Sequence, residues 1–222
     1  MAGLLIIGDV TDVMLARFGD KFDIHKFSDL PDPLAWAAQN GGQIEYVATN
    51  GHDGIQSELM AALPNLKAIS CYGVGYDSID AVMARERGVI VTHTPNVLNA
   101  EVATTALLLL MSCYRELLRD DAYVRSGKWE KDGNAPLTRS MDNQTIGILG
   151  LGRIGQAIAD KLAPFGTTIV YHSRNRKDVA YRYYENLVEM AGDVDALICI
   201  TPGGPSTNKN AASPTCGRCL SC

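Results

Sequence analysis

No apolar run in this 222-residue chain is long enough to cross a bilayer. The longest, "ALLLLM" at 106–111, falls far short of the roughly 20 residues that a spanning helix needs. The opening "MAGLLIIGDVTD" lacks a cationic n-region, and its apolar stretch is too short for a signal peptide, so a cytoplasmic location is expected. Positive charge is not in excess either. With 20 Lys+Arg against 25 Asp+Glu, the net charge of −5 argues against a general nucleic-acid or anionic-membrane surface, though it leaves room for local basic pockets. Histidine is scarce: His25, His52, His93 and His172 are the only four. Of the six cysteines, Cys71, Cys113 and Cys199 sit singly in apolar runs and read as buried reduced thiols. Cys216, Cys219 and Cys222 crowd the last seven residues.

What is present describes an ordinary globular protein, with 46% hydrophobic and 20% charged residues. The length suits one large domain or two modest ones. In the first hundred residues, short apolar runs ("LLIIG", "FDIHKF", "EYVATNG", "LKAISCYG", "VIVTHTP") alternate with stretches of helical periodicity. A second alternating series has strands near 145–149, 168–172, 181–184 and 196–200. Such alternation implies parallel sheets covered by helices, an α/β fold built of two Rossmann/flavodoxin-like domains. The expected division is a first domain at 1–99 and a dinucleotide-binding domain at 100–209, the latter truncated after its fourth strand. A single long helix over 99–126, with Val102, Ala106, Leu109, Cys113 and Leu117 along one stripe, is expected to link the two. Its apolar middle suggests burial against another domain or subunit.

"GILGLGRIGQAIADKLAPFG" carries Gly150, Gly152 and Gly155 in G-x-G-x-x-G spacing, after a strand and at the opening of a helix. In that setting Gly150 permits the tight turn, Gly152 lets backbone N–H groups approach a pyrophosphate, and Gly155 lets helix and strand pack closely. The helix N-terminus adds free donors and partial positive charge.

The next strand, "IVYHSRNRK" (169–177), runs straight into basic residues. A cofactor with a free ribose 2′-OH is usually held by Asp or Glu at this strand's end. Here His172 and Ser173 stand in that place, Arg174 follows, and Asp178 comes several residues too late. A carboxylate would repel a 2′-phosphate, whereas a hydroxyl and a guanidinium fork would bind one. The expected cofactor is NADP, with NADPH preferred over NADH.

On these motifs, together with "SCYGVGYDSID" (70–80), "VTHTPNVLNAEVA" (91–103), "VRSGKW" (124–129) and "ICITPGGPSTN" (198–208), the chain resembles the D-isomer-specific 2-hydroxyacid dehydrogenase family, in its glyoxylate/hydroxypyruvate reductase branch. The resemblance covers residues 1 to about 209. It implies an oxidoreductase that reduces small 2-oxo acids in a cleft between domains. It also implies a homodimer formed through the second domain, while the charge balance leaves no nucleic-acid or membrane partner expected. The substrate carboxylate would be held by backbone N–H groups at Val74 and Gly75, with Asn50 and Gly51 lining the pocket. Arg153 and Ile154 would meet the pyrophosphate through their amides, and Thr201 and Pro202 would flank the adenosine half. The family often has an acidic residue where Thr104 sits, so Thr104 receives no role.

The family's chemistry rests on an arginine, a glutamate and a histidine that follow the motif ending near Lys209, and no residue here matches them. From Asn210 the chain reads "NAASPTCGRCLSC", and the family register is lost. This tail (210–222) has the look of a frameshift, an alternative reading frame or an artificial terminus. Three thiolates leave a zinc site one ligand short, so no metal is expected. His52 and His93 fall near strand ends, but position alone is a poor warrant for a proton donor, and no catalytic residue is assigned. The chain alone is expected to be inactive or impaired, with a non-catalytic dinucleotide-binding dimerisation or regulatory module as the alternative. Without further strands, the backbone edge of "ALICI" (196–200) is expected to lie open.

Overall fold

A computed structural model describes residues 1–202 and the short strand 219–221. The chain divides into two compact units, Met1–Val97 and Leu98–Cys222. No helix among the described residues is long and apolar enough to cross a membrane.

The first unit runs β1 (Ala2–Ile6), α1 (Asp12–Phe18), β2 (Phe22–Lys26), α2 (Pro33–Asn40), β3 (Ile44–Asn50), α3 (Ser57–Ala61), β4 (Ala68–Tyr72), α4 (Ala81–Glu86) and β5 (Ile90–Thr92). The strands form one parallel sheet in the order β2-β1-β3-β4-β5. Helix starts follow local chemistry. Thr11, Asp32 and Asp80 each accept a backbone N–H from the first turn of the helix they precede, and Pro33 needs no partner for the N–H it lacks. Leu5, Ile44, Met60, Leu63 and Ile69 are fully buried at the centre. Each such side chain contributes about 1.5–3 kcal/mol of burial.

The second unit opens with α5 (Asn99–Tyr114), α6 (Leu117–Arg125) and α7 (Lys128–Asp132). It continues with β6 (Thr145–Leu149), α8 (Arg153–Leu162), β7 (Thr168–His172), β8 (Arg182–Tyr183), α9 (Leu187–Asp193), β9 (Ala196–Cys199) and β10 (Cys219–Ser221). Its parallel sheet has the order β10-β9-β6-β7-β8. Both sheets thus reverse strand order once, between β1 and β3 and between β6 and β9, and ligands of open α/β sheets bind beyond such points.

Three expectations change here. The helix expected over 99–126 is broken: Glu116 adopts the left-handed conformation (φ 47°), and a new helix starts at Leu117. No Gly or Pro marks the break. It is held from outside the helix, by the Arg139 N–H donating to the Tyr114 carbonyl (3.2 Å) and Arg119 donating to the Pro136 carbonyl (2.9 Å).

The buried stripe of α5 also differs. It is Ala103, Ala106, Leu110 and Tyr114, clustered with Ile158 and Leu162 of α8, because two alanines let the helices approach closely. Of the expected stripe only Ala106 is buried, and Leu109 and Cys113 are exposed. Finally, the edge of β9 is not bare. Cys219–Ser221 pairs with it in parallel, Leu220 opposite Ile198, as an open row of backbone donors and acceptors invites. The side chains of Cys216, Cys219 and Cys222 lie outside the described residues.

Candidate functional site

In the second unit, a cleft of about 360 Å³ opens where β6, β7 and β9 end. Gly150, Leu151 and Gly152 form one wall, Ser173, Arg174, Asn175 and Lys177 another, and Ile200, Thr201 and Pro202 a third. His172 and Leu149 lie at its base. Among the described residues, neither Asp nor Glu lines it.

The glycine wall has a clear physical basis. Gly150 sits at φ 99°, and a Cβ there would lie 2.8 Å from the Ile200 carbonyl oxygen. Its N–H donates to the His172 carbonyl at 2.8 Å, which ties the turn to β7. Gly155 is buried in α8, and a Cβ on it would come within 2.5 Å of the Gly150 carbonyl oxygen. Gly152 differs: a Cβ there meets nothing within 4 Å, so its bare face is turned to open space. Its own N–H is already committed to the Gly150 carbonyl at 2.9 Å. Donors open to an anion are the Leu151 N–H and, in the first turn of α8, the Ile154 N–H, which has no acceptor within the helix. Arg153 and Ile154 open that helix and do not line the cleft.

The opposite wall is a short basic loop. Arg174, Arg176 and Lys177 are all exposed, and none is ion-paired with a carboxylate among the described residues. Arg174 and Lys177 line the cleft, whereas Arg176 does not. Lys177 was missed as an individual residue in the sequence; its only signal was membership of the charged run. Ser173 lines the cleft too, but its hydroxyl donates to the Asn175 carbonyl at 2.7 Å. That proton must swing away to serve a phosphate, which shifts weight onto the two cations. The cradle fits a phosphate-bearing dinucleotide: close backbone approach on one side, uncompensated positive charge on the other.

The first unit brings the other predicted residues together at the ends of β3 and β4. The Asn50 side chain accepts the His52 and Asp53 N–H groups (both 2.8 Å) and donates to the Asp53 carboxylate at 2.6 Å. Asn50 therefore shapes a turn first. A Cβ on Gly51 would sit 2.6 Å from the Gly75 carbonyl oxygen, so glycine lets the two loops touch. The Val74 carbonyl accepts a hydrogen bond from His93 Nδ1 at 2.9 Å, and Tyr76 packs edge-on to that imidazole. The Val74 and Gly75 N–H groups donate to no acceptor among the described residues, which leaves adjacent donors available to an anion. Beneath the loop, burial pushes the Cys71 thiol pKa up. No group of three or more His, Cys, Asp or Glu among the described residues is arranged to hold a metal ion.

Comparison with known proteins points to one family. The family model described as "D-isomer specific 2-hydroxyacid dehydrogenase, NAD binding domain" matches residues 107–216. Glyoxylate/hydroxypyruvate reductase A of Arabidopsis thaliana is 37% identical over 201 residues, covering 90% of this chain and 64% of that protein. The 2-hydroxyacid dehydrogenase structure from Ketogulonicigenium vulgare Y25 is 35% identical, with a TM-score of 0.85 over 93% of this chain and 66% of that one. An NADPH-dependent glyoxylate/hydroxypyruvate reductase from Sinorhizobium meliloti, solved with NADP and malonate, is 37% identical (TM-score 0.82, 93% of this chain, 64% of that one). The chain thus spans slightly less than two thirds of the length of these relatives.

Proposed function

Because the chain belongs to the D-isomer specific 2-hydroxyacid dehydrogenase family, we propose that it binds NADP(H) and serves the reduction of small 2-oxo acids of the glyoxylate and hydroxypyruvate type. One observation carries the cofactor assignment: among the described residues, the cleft at the tip of β7 is lined by Ser173, Arg174 and Lys177 and by no carboxylate. A 2′-phosphate close to a double negative charge gains from both cations, and no described lining residue repels it. The Sinorhizobium relative solved with NADP supports the same reading.

The nicotinamide, when bound, supplies the hydride. This chain's residues bind and orient. The Leu151 and Ile154 amides, with Arg153 beside them, face the pyrophosphate. Thr201 and Pro202 flank the adenosine half, and Ser173, Arg174 and Lys177 take the 2′-phosphate. The adjacent amides of Val74 and Gly75 receive the substrate carboxylate, and Asn50 with Gly51 fixes the loop against which it lies. Backbone donors read a carboxylate and not its substituent, so the preferred acid is left to residues beyond this pocket.

Absorbance assays of NADPH oxidation with glyoxylate and hydroxypyruvate, run on this chain and on the full-length Arabidopsis relative, test the proposal. The expected result is NADPH binding by both proteins and oxidation of NADPH by the relative with either acid. No NADPH binding by this chain contradicts it.

The same reading includes a homodimer. Leu108, Leu109, Met111, Leu117, Leu118 and Trp129 of α5, α6 and α7 are exposed large apolar side chains, Leu118 at 84%. So concentrated an apolar surface marks an association site.

A further inference from the structure

The basic loop of residues 173–177 is held at both ends by tyrosine hydroxyls. Tyr171 lies on β7 with no exposed surface, its ring in the core of the second sheet. Its phenolic oxygen leaves that core to meet Lys177 twice: it accepts the Lys177 N–H at 2.8 Å and donates to the Lys177 carbonyl at 3.2 Å. One hydroxyl thus satisfies both backbone groups of a residue six positions on, as a neighbouring strand would. At the other end, the Tyr183 hydroxyl of β8 donates to the Ser173 carbonyl at 3.3 Å. The two rings contact each other (centroids 5.4 Å apart), and Tyr183 also stacks on His172. Between these fixed ends, Ser173 closes the loop internally through Asn175.

We propose that Tyr171, seconded by Tyr183, is a positioning residue for coenzyme discrimination: its hydroxyl sets the loop geometry that aims Arg174 and Lys177 at the 2′-phosphate, without touching the phosphate. The inference rests on the NADP(H) reading above and deepens it. The core alone does not explain the hydroxyl, since phenylalanine fills the same space among Ile148, Ile158 and Ile169. Arg174 and Lys177 are long and exposed, so their reach depends on where their backbone is pinned. Arg176, on the same loop, is left out of the cleft, which shows how strongly loop geometry sorts the three cations. Without the hydroxyl, a partly buried N–H and carbonyl lose their partner and the loop must move to find water. An exposed loop can do so cheaply, so the loss falls on anion binding and leaves the core packed.

The test is calorimetric titration of the 222-residue chain with adenosine 2′,5′-bisphosphate and with 5′-AMP, which differ only by the 2′-phosphate. The ratio of the two affinities reports that group alone. Wild type is expected to prefer the bisphosphate, and Tyr171→Phe to lower the ratio about five-fold with 5′-AMP binding unchanged, the size expected from lost hydrogen bonds. Tyr183→Phe lowers it less, through one longer bond, and carries the same test if Tyr171→Phe does not fold. A wild-type ratio in both variants overturns the inference and leaves the phosphate pocket standing. An equal loss for both ligands also overturns it, because it reports only a structural role. A wild-type chain that does not distinguish the ligands overturns the phosphate reading, and this inference with it.

Discussion

Gly155 and the carbonyl of Gly150 are in direct contact across the turn that joins β6 to α8: a methyl group on Gly155 would stand 2.5 Å from that oxygen. The oxygen belongs to backbone at a positive φ and cannot retreat easily. Gly155→Ala is therefore expected to push α8 off the sheet and cost about 1–3 kcal/mol. Urea denaturation checks this, and a stability within about 0.5 kcal/mol of wild type would remove the close-packing role.

Gly152 predicts the opposite pattern. Its φ of −92° suits an L-residue, and an added methyl meets only open space. Gly152→Ala should leave the melting temperature unchanged or slightly raised. Dinucleotide affinity should fall about ten-fold or more, because the methyl occupies the approach to the backbone. Paired thermal and calorimetric measurements separate the two effects; unaltered affinity would place the pyrophosphate elsewhere.

Much of this site was legible in the sequence, for physical reasons. G-x-G-x-x-G after β6 encodes backbone approach, which side chains elsewhere cannot change, and the basic turn after β7 declares its charge locally. The limits of β6 and β7 follow from uninterrupted apolar runs. What failed depended on distant partners. Glu116 is left-handed because Arg139 and Arg119 engage the chain around it, 23 and 3 residues on, with no Gly or Pro to announce it. The buried face of α5 follows Ala103 and Ala106 and not the larger leucines, since proximity to α8 selects small residues there. Likewise nothing in the sequence around Tyr171 shows where its hydroxyl points.

Cysteine reactivity should divide sharply. Cys71 is 2% exposed and its thiol pKa is pushed up by burial, whereas Cys113 is exposed. Brief iodoacetamide treatment at pH 8 should alkylate Cys113 and spare Cys71, as read by peptide mass spectrometry. The raised thiol also has a consequence for stability. An acid whose folded pKa lies above its unfolded value stabilises fully below the unfolded value, and that contribution is lost as pH rises through the folded one. Burial, and then the hydrogen bond to Asp193, also raises Tyr184. Melting temperature should therefore fall above about pH 9, less steeply in Cys71→Val; identical slopes would contradict the assignment.

The apolar surface of α5 to α7 predicts self-association. Leu118→Asp places a charge where 84% of a leucine is exposed, so the monomer fold should tolerate it. Sedimentation velocity should show a dimer for wild type and a monomer for the variant, with unchanged circular dichroism. A wild-type monomer at tens of micromolar would exclude this surface as the interface.

Coenzyme choice depends most on the charge at the tip of β7. Calorimetric affinities for NADPH and NADH, measured on wild type and on the double variant Arg174→Ala, Lys177→Ala, test it directly. The pocket predicts that wild type favours NADPH by at least about ten-fold and that the variant loses this preference through NADPH alone, each charge-assisted contact contributing about 1.5–3 kcal/mol. A preference for NADPH that survives removal of both cations, or a wild type that binds NADH equally well, would contradict it.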